Sequence, residues 1–185
     1  RQLGGFLRRL NDAAPIAAPR VYRDELPSHI LDFRRELDEI EGELPPPITA
    51  ACRDLLAKAP PPHSGRPSFA HGDLGAEHML VDAASGRITA IIDWGDVGWS
   101  NPVADVVGLW AWGGDAAVTA AQTSWQYTLT GEDWSRLRFW GASYAIGCAH
   151  YGYKDGRDAL YATALGWLER MHRSGQLSDP GTPDV

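Results

Sequence analysis

The feature that most limits what this chain can fold into is a change of hydrophobic period near its middle. Met79, Leu80 and Val81 form a short apolar run, Ser85-Gly86 reads as a turn, and Ile88 to Ile92 is rich in β-branched residues. Together they predict a small β-hairpin. On either side the period is helical. Leu3, Phe6, Leu7 and Leu10 recur at i, i+3, i+4 and i+7, an apolar stripe that opens with the first residues. Ile30, Phe33, Leu37, Ile40 and Leu44 give a second stripe, which Pro45-Pro46-Pro47 must end because proline has no amide hydrogen to donate. Ile48 to Ala59 reads as a third helix closed by Pro60-Pro61-Pro62, and His63 to Pro67 as loop. Beyond Pro102, helices are expected near Val103 to Trp112, Ala116 to Leu129, Trp134 to His150 and Arg157 to His172, with a frayed tail after Ser174. The expected class is α+β, predominantly α-helical, with the hairpin inserted between the third and fourth helices.

Bulk properties narrow the function. A chain of 185 residues, 44% hydrophobic with eight tryptophans, suits a single compact unit. Seventeen Lys and Arg against 24 Asp and Glu give a net charge of −7, with the basic residues scattered. Nucleic-acid binding needs them clustered and is not expected. The acidic balance suits solubility or a cationic ligand. Cys52 and Cys148 lie far apart and outside any CxxC pair, which reads as a reduced, cytoplasmic compartment. No apolar run reaches the roughly 18 residues of a membrane span, so no membrane partner is expected, and residues 1 to 20 lack the apolar core of a secretion signal.

Polar residues that can do chemistry gather in the loops flanking the hairpin. His71-Gly72-Asp73-Leu74-Gly75-Ala76-Glu77-His78 sets a carboxylate and an imidazole five positions apart just before the first strand, and Ile91-Ile92-Asp93-Trp94 ends the second with another carboxylate. A hairpin brings the start of its first strand beside the end of its second. Asp73, His78 and Asp93 should therefore converge into a divalent-cation site next to a base. Asp93, following two isoleucines, is expected to be partly buried and so to want a cation.

This order of His-x-Asp, a ligand position five residues after the Asp, a hairpin and then Ile-Asp-Trp resembles the aminoglycoside phosphotransferases, relatives of the protein kinases. The kinase counterparts are the H-R-D-x-x-x-x-N loop and the D-F-G segment. The resemblance implies the C-terminal lobe of a protein-kinase-like fold, moving the γ-phosphoryl of ATP or GTP to a hydroxyl of a small molecule, an aminoglycoside or macrolide antibiotic among the candidates. It implies Asp73 as the catalytic base, His71 as the residue that braces the catalytic loop, and Asp93 as the principal Mg²⁺ ligand. His78 falls at a second metal position where most of the family has Asn and macrolide phosphotransferases have His; imidazole is a poorer Mg²⁺ ligand than an amide oxygen. Asn101-Pro102-Val103-Ala104-Asp105 resembles the segment written D-P-x-x-D, which makes Asp105 structural, a helix cap. Asp96, Asp133 and Asp155 are candidates for the acceptor site.

The chain departs from the family where the glycine-rich loop and strand lysine should be. Nothing before His71 supplies them, and Gly4-Gly5 lies inside a helical stripe. The N-terminal nucleotide lobe is expected to be a missing partner, and the lobe alone to be inactive. Two other readings compete: a zinc hydrolase using His71, Asp73, His78 and Asp93 to activate water, and a non-catalytic kinase-like binding module.

Overall fold

The computed structural model of the chain describes residues 1–13, 26–63 and 67–181. In chain order its elements are α1 (Gln2–Asp12), α2 (Leu26–Ile40), α3 (Pro46–Ala57), β1 (Ser68–Ala70), β2 (Met79–Asp82), β3 (Arg87–Ile91), β4 (Gly98–Ser100), α4 (Val107–Trp125), α5 (Gly131–Lys154) and α6 (Asp158–Arg173). Short 3-10 turns fill in at Glu41–Glu43, Ala76–His78 and Pro102–Val106. Among the described residues no helix is long and apolar enough to cross a membrane.

The first proline run does more than stop a helix. Helix α2 already ends at Ile40, and Leu44, held extended at φ −94°, ψ 150° ahead of the prolines, hands over to α3, which starts at Pro46. Proline is welcome there because the first amides of a helix have no intrahelical acceptor. The helices expected over 103–112 and 116–129 are the two arms of α4, broken at Gly114 with φ 64° and ψ −164°. The second arm stops at Trp125 because Gln126 turns left-handed, at φ 60°.

The described residues fall into two compact units where composition pointed to one: residues 1–24 with 63–133, and residues 25–62 with 134–185. In the first unit α1 lies against α4 so closely that a Cβ on Gly4 would fall 2.0 Å from the Ala121 carbonyl oxygen. Leu3, Leu7 and Leu10 of the predicted stripe are buried. Asn11 ties three elements, its Nδ2 donating to the Phe69 carbonyl at 2.9 Å and its Oδ1 accepting from Trp125 Nε1 at 2.7 Å.

The expected hairpin is β2 with β3, antiparallel, with Met79 opposite Ile91, Asp82 opposite Arg87 and a bulge between Leu80 and Val81. A second pair was not expected: β1 runs antiparallel to β4, Phe69 opposite Trp99. At three residues each, these strands are too short to show a period. They nevertheless matter, because they join the two ends of the segment that carries both motifs.

In the second unit α3 packs on α2 and on α6 around Leu37, Ile40, Leu55, Leu56 and Leu168. The tail after Ser174 is not frayed as far as Gly181. Gln176 and Leu177 are fully buried, Arg138 donates to the Gly181 carbonyl at 3.1 Å, and Lys58 bonds the Ser178 carbonyl. One apolar side chain with a place in a core is enough to hold a segment that composition marks as loose.

Candidate active site

The site is built on the loop between β1 and β2 and the end of β3. Its foundation is Asp105, 1% exposed, whose two carboxylate oxygens accept the backbone amides of His71 and Gly72, each at 2.9 Å. Burial pushes its carboxyl above the ordinary range, and the two amides and His71 work against that. Asp105 is thus structural, but not as a helix cap. The cap is Asn101, whose Oδ1 accepts from the Val103 amide at 2.9 Å, while Asp105 clamps the loop 34 residues upstream.

His71, fully buried, joins that loop to the end of β3. Its Nδ1 receives the Asp73 amide at 3.3 Å, and its Nε2 lies 2.9 Å from the Ile92 carbonyl. An amide can only donate and a carbonyl only accept, so Nδ1 is bare and Nε2 carries the proton. One tautomer of one ring therefore links the backbones on which Asp73 and Asp93 are carried. Trp94 backs this ring, with centroids 4.8 Å apart, and donates its Nε1–H to the Ile91 carbonyl at 3.0 Å.

Asp73, His78 and Asp93 converge as the hairpin requires. His78 donates from Nδ1 to the Asp73 carbonyl at 2.6 Å; the same nitrogen is 3.8 Å from the Asp73 carboxylate, and Nε2 is 3.6 Å from that of Asp93. Burial raises the Asp73 carboxyl above its ordinary value; His78 pulls it back, and Glu77 and Asp96 add like charge. For His78, burial alone would lower the pKa. The bond to the Asp73 carbonyl and the charges of Asp73, Glu77 and Asp93 outweigh it and raise the ring above its ordinary value.

Asp93 corrects one expectation. Its side chain is 65% exposed rather than partly buried, because β3 ends at Ile91 and Asp93 itself turns left-handed at φ 61°. Such a backbone costs a non-glycine residue about 1–2 kcal/mol and is tolerated best by Asp and Asn. A strained, open carboxylate at a loop mouth is the kind of outlier that points to function.

Asp96 stands beside the base: its carbonyl oxygen would lie 2.5 Å from a Cβ on Gly72, whose own φ is +90°. Gly72→Ala should therefore lose stability by more than the roughly 1–2 kcal/mol of a left-handed alanine, since the overlap is with backbone. Denaturant unfolding of the complete protein measures it, and wild-type stability with wild-type turnover would show that the loop does not need this glycine.

The other two acceptor candidates part company with Asp96. Asp133, expected to bind substrate, is 2% exposed: its Oδ2 accepts from both the Thr130 amide and hydroxyl at 2.9 Å, while its own amide donates to Thr130 Oγ1 at 3.1 Å. That reciprocal pair caps α5 and leaves no face for a ligand. Asp155 lies in the second unit, exposed at the end of α5.

The zinc reading loses its ligands. Both nitrogens of His71 are engaged, His78 has only Nε2 left, and among the described residues no group of three or more His, Cys, Asp or Glu is arranged to hold a metal. Mg²⁺ asks for less, one or two carboxylates completed by phosphates and water. Sequence reasoning missed the ring contact of Trp94 and the clamp made by Asp105; a carboxylate flanked by Val103, Ala104 and Val106 was the available sign of burial.

Residues 1–140 match the phosphotransferase enzyme family. Over 119 residues the chain is 30% identical to viomycin phosphotransferase of Streptomyces vinaceus, covering 62% of this chain and 40% of that protein. The fold resembles wild-type aminoglycoside 2'-phosphotransferase-IIIa in its GDP complex, with TM-score 0.62 and 20% identity over 91% of this chain and 59% of that one. It also resembles macrolide 2'-phosphotransferase type I, with TM-score 0.55 and 18% identity over 90% and 58%. The chain thus spans less than two thirds of the length of each. The likeness places the fold as kinase-like, α+β and predominantly helical.

Proposed function

This chain belongs to the phosphotransferase enzyme family, and from that membership we infer that it supplies the base and the metal ligands of a small-molecule kinase acting on a hydroxyl acceptor. The observation that carries the reading is the meeting of two carboxylates, Asp73 before β2 and Asp93 after β3, on either side of His78. Asp73, half exposed and held by its backbone, accepts the proton of the acceptor hydroxyl as that oxygen bonds to the γ-phosphorus and the bond from that phosphorus to the β,γ-bridging oxygen breaks, releasing the nucleoside diphosphate. His71 contributes by position, fixing the loop through its two ring nitrogens. Asp93 offers open, hard oxygen donors of the kind Mg²⁺ takes, with His78 able to join only through Nε2. When bound, Mg²⁺ supplies charge neutralisation for the phosphates of ATP or GTP.

The rest of the nucleotide site belongs to a nucleotide lobe of the kind the relatives' greater length leaves room for, so activity is a property of the complete protein. The acceptor is a small molecule, an antibiotic of the aminoglycoside or macrolide type being the first to try. Asp96, next to the base, is the acidic residue best placed to meet an amine on it, and Asp155 is a second candidate on sequence grounds. Cys52 and Cys148, neither of them in a disulfide, suit a reduced cytoplasm.

The test is transfer of labelled γ-phosphoryl from ATP or GTP to a panel of such acceptors, with variants at His78. If His78 serves chiefly as the donor to the Asp73 carbonyl, His78→Asn keeps an N–H there and should stay near wild type. His78→Ala should lose about tenfold in kcat, the worth of one hydrogen bond of about 1–1.5 kcal/mol. Absence of transfer to any hydroxyl acceptor, with nucleotide and Mg²⁺ present, counts against the kinase reading.

A further inference from the structure

The first unit carries a second concavity, a groove of about 570 Å³ between α1 and β3. Phe6, Ile91 and Trp94 give it an apolar, aromatic floor, Arg1, Arg9 and Arg87 line it with positive charge, and no acidic residue lines it. All three arginines are exposed, and among the described residues no carboxylate pairs with any of them. Other arginines do find partners: Arg8 with Asp12, Arg35 with Asp32, Arg53 with Asp38 and Arg173 with Glu169. In a chain of net charge −7, three unpaired cations around one apolar groove reverse the local sign.

Strand β3 forms one side of the groove, and its outward Ile88 amide is already bonded to α1, where Gln2 Oε1 accepts it at 2.9 Å. The other edge of β3 is taken by β2. An edge strand beside a helix, with cations around an apolar floor, is suited to an extended chain that brings carboxylates and one apolar anchor. We propose that this groove docks an extended acidic segment of a partner protein, with an apolar side chain seated on the edge-to-face pair of Phe6 and Trp94, whose ring centroids lie 6.0 Å apart, and carboxylates on Arg9 and Arg87. The groove shares Trp94 with the ring contact behind His71, but docking there does not rest on the kinase reading.

Random peptides of about twelve residues, displayed on phage and selected on the complete protein, provide the test. The enriched peptides should carry two or more acidic residues around an aromatic or aliphatic one. A fluorescein-labelled synthetic copy should bind the wild type and lose at least about tenfold in affinity to Arg9→Glu and to Arg87→Glu, with smaller losses for Arg9→Gln and Arg87→Gln, which guard against misfolding. Phosphoryl transfer should be unchanged in all four variants. Selection without acidic bias, or equal binding by the charge-reversed proteins, overturns the proposal. So does a thiol introduced by Thr89→Cys that resists maleimide in the complete protein, because the groove would then be covered by the protein itself.

Discussion

Asp73→Asn in the complete protein should lower kcat by about 10²- to 10⁴-fold, the usual contribution of a positioned general base, with nucleotide affinity nearly unchanged. The substitution keeps the side-chain shape and removes only the basic oxygen. It leaves the bond from the Asp73 amide to His71 and the bond from His78 to the Asp73 carbonyl in place, since both use backbone. Folding should not suffer either. A carboxyl whose pKa burial raises binds its proton more tightly folded than unfolded, so the ionised form costs stability above that pKa, and a neutral amide has no such cost. A large loss of rate without a loss of stability is the expected signature.

The same shift gives a pH dependence. The base must be ionised to accept a proton, so the rate should fall as pH drops through a value above the ordinary aspartate range. Asp96→Asn removes one of the like charges that hold Asp73 up and should move that acid limb to lower pH. Full phosphoryl transfer by Asp73→Asn, or an acid limb indifferent to Asp96→Asn, would pass the base role to another residue.

Asp93→Asn should weaken Mg²⁺ binding by at least about a hundredfold, because even the residues that merely support metal ligands cost 10–100-fold when changed. Nucleotide KM and kcat should both deteriorate, and excess Mg²⁺ should restore part of the loss. The comparison is clean because Asn tolerates the left-handed backbone at φ 61° as well as Asp does. Calorimetric titration with Mg²⁺ and nucleotide separates this from the Asp73 effect: one variant binds and does not turn over, the other does not bind. Unchanged Mg²⁺ affinity in Asp93→Asn would remove Asp93 from the metal site.

Much of this site could be read from the chain because its parts are local. Asp73 and His78 lie within one loop, and Asp93 follows directly from the strand that pairs with the next one, so a correct hairpin carries their convergence with it. The α1 stripe, the hairpin and the helices from Trp134 onward followed for the same reason, since periodicity reports which neighbours at i+3, i+4 or i+2 share a face. Where one residue overrode the pattern, as Gly114 does in α4 by turning left-handed, the elements kept their places and only the joint changed character.

What the sequence by itself determined, then, was the helical class with its inserted hairpin and the grouping of Asp73, His78 and Asp93. Tertiary structure alone decided the roles of Asp105 and Asp133 and the exposure of Asp93. Asp105 reaches 34 residues back to clamp two amides, Asp133 is sealed into its own helix cap, and Asp93 is left open at a strand end. The pairing of β1 with β4, the burial of Leu177 and the gathering of Arg1, Arg9 and Arg87 at one groove are of the same kind. The reason is physical: burial and charge pairing are set by contacts between residues far apart in the chain, whereas periodicity records only a side chain's neighbours within a turn or a strand.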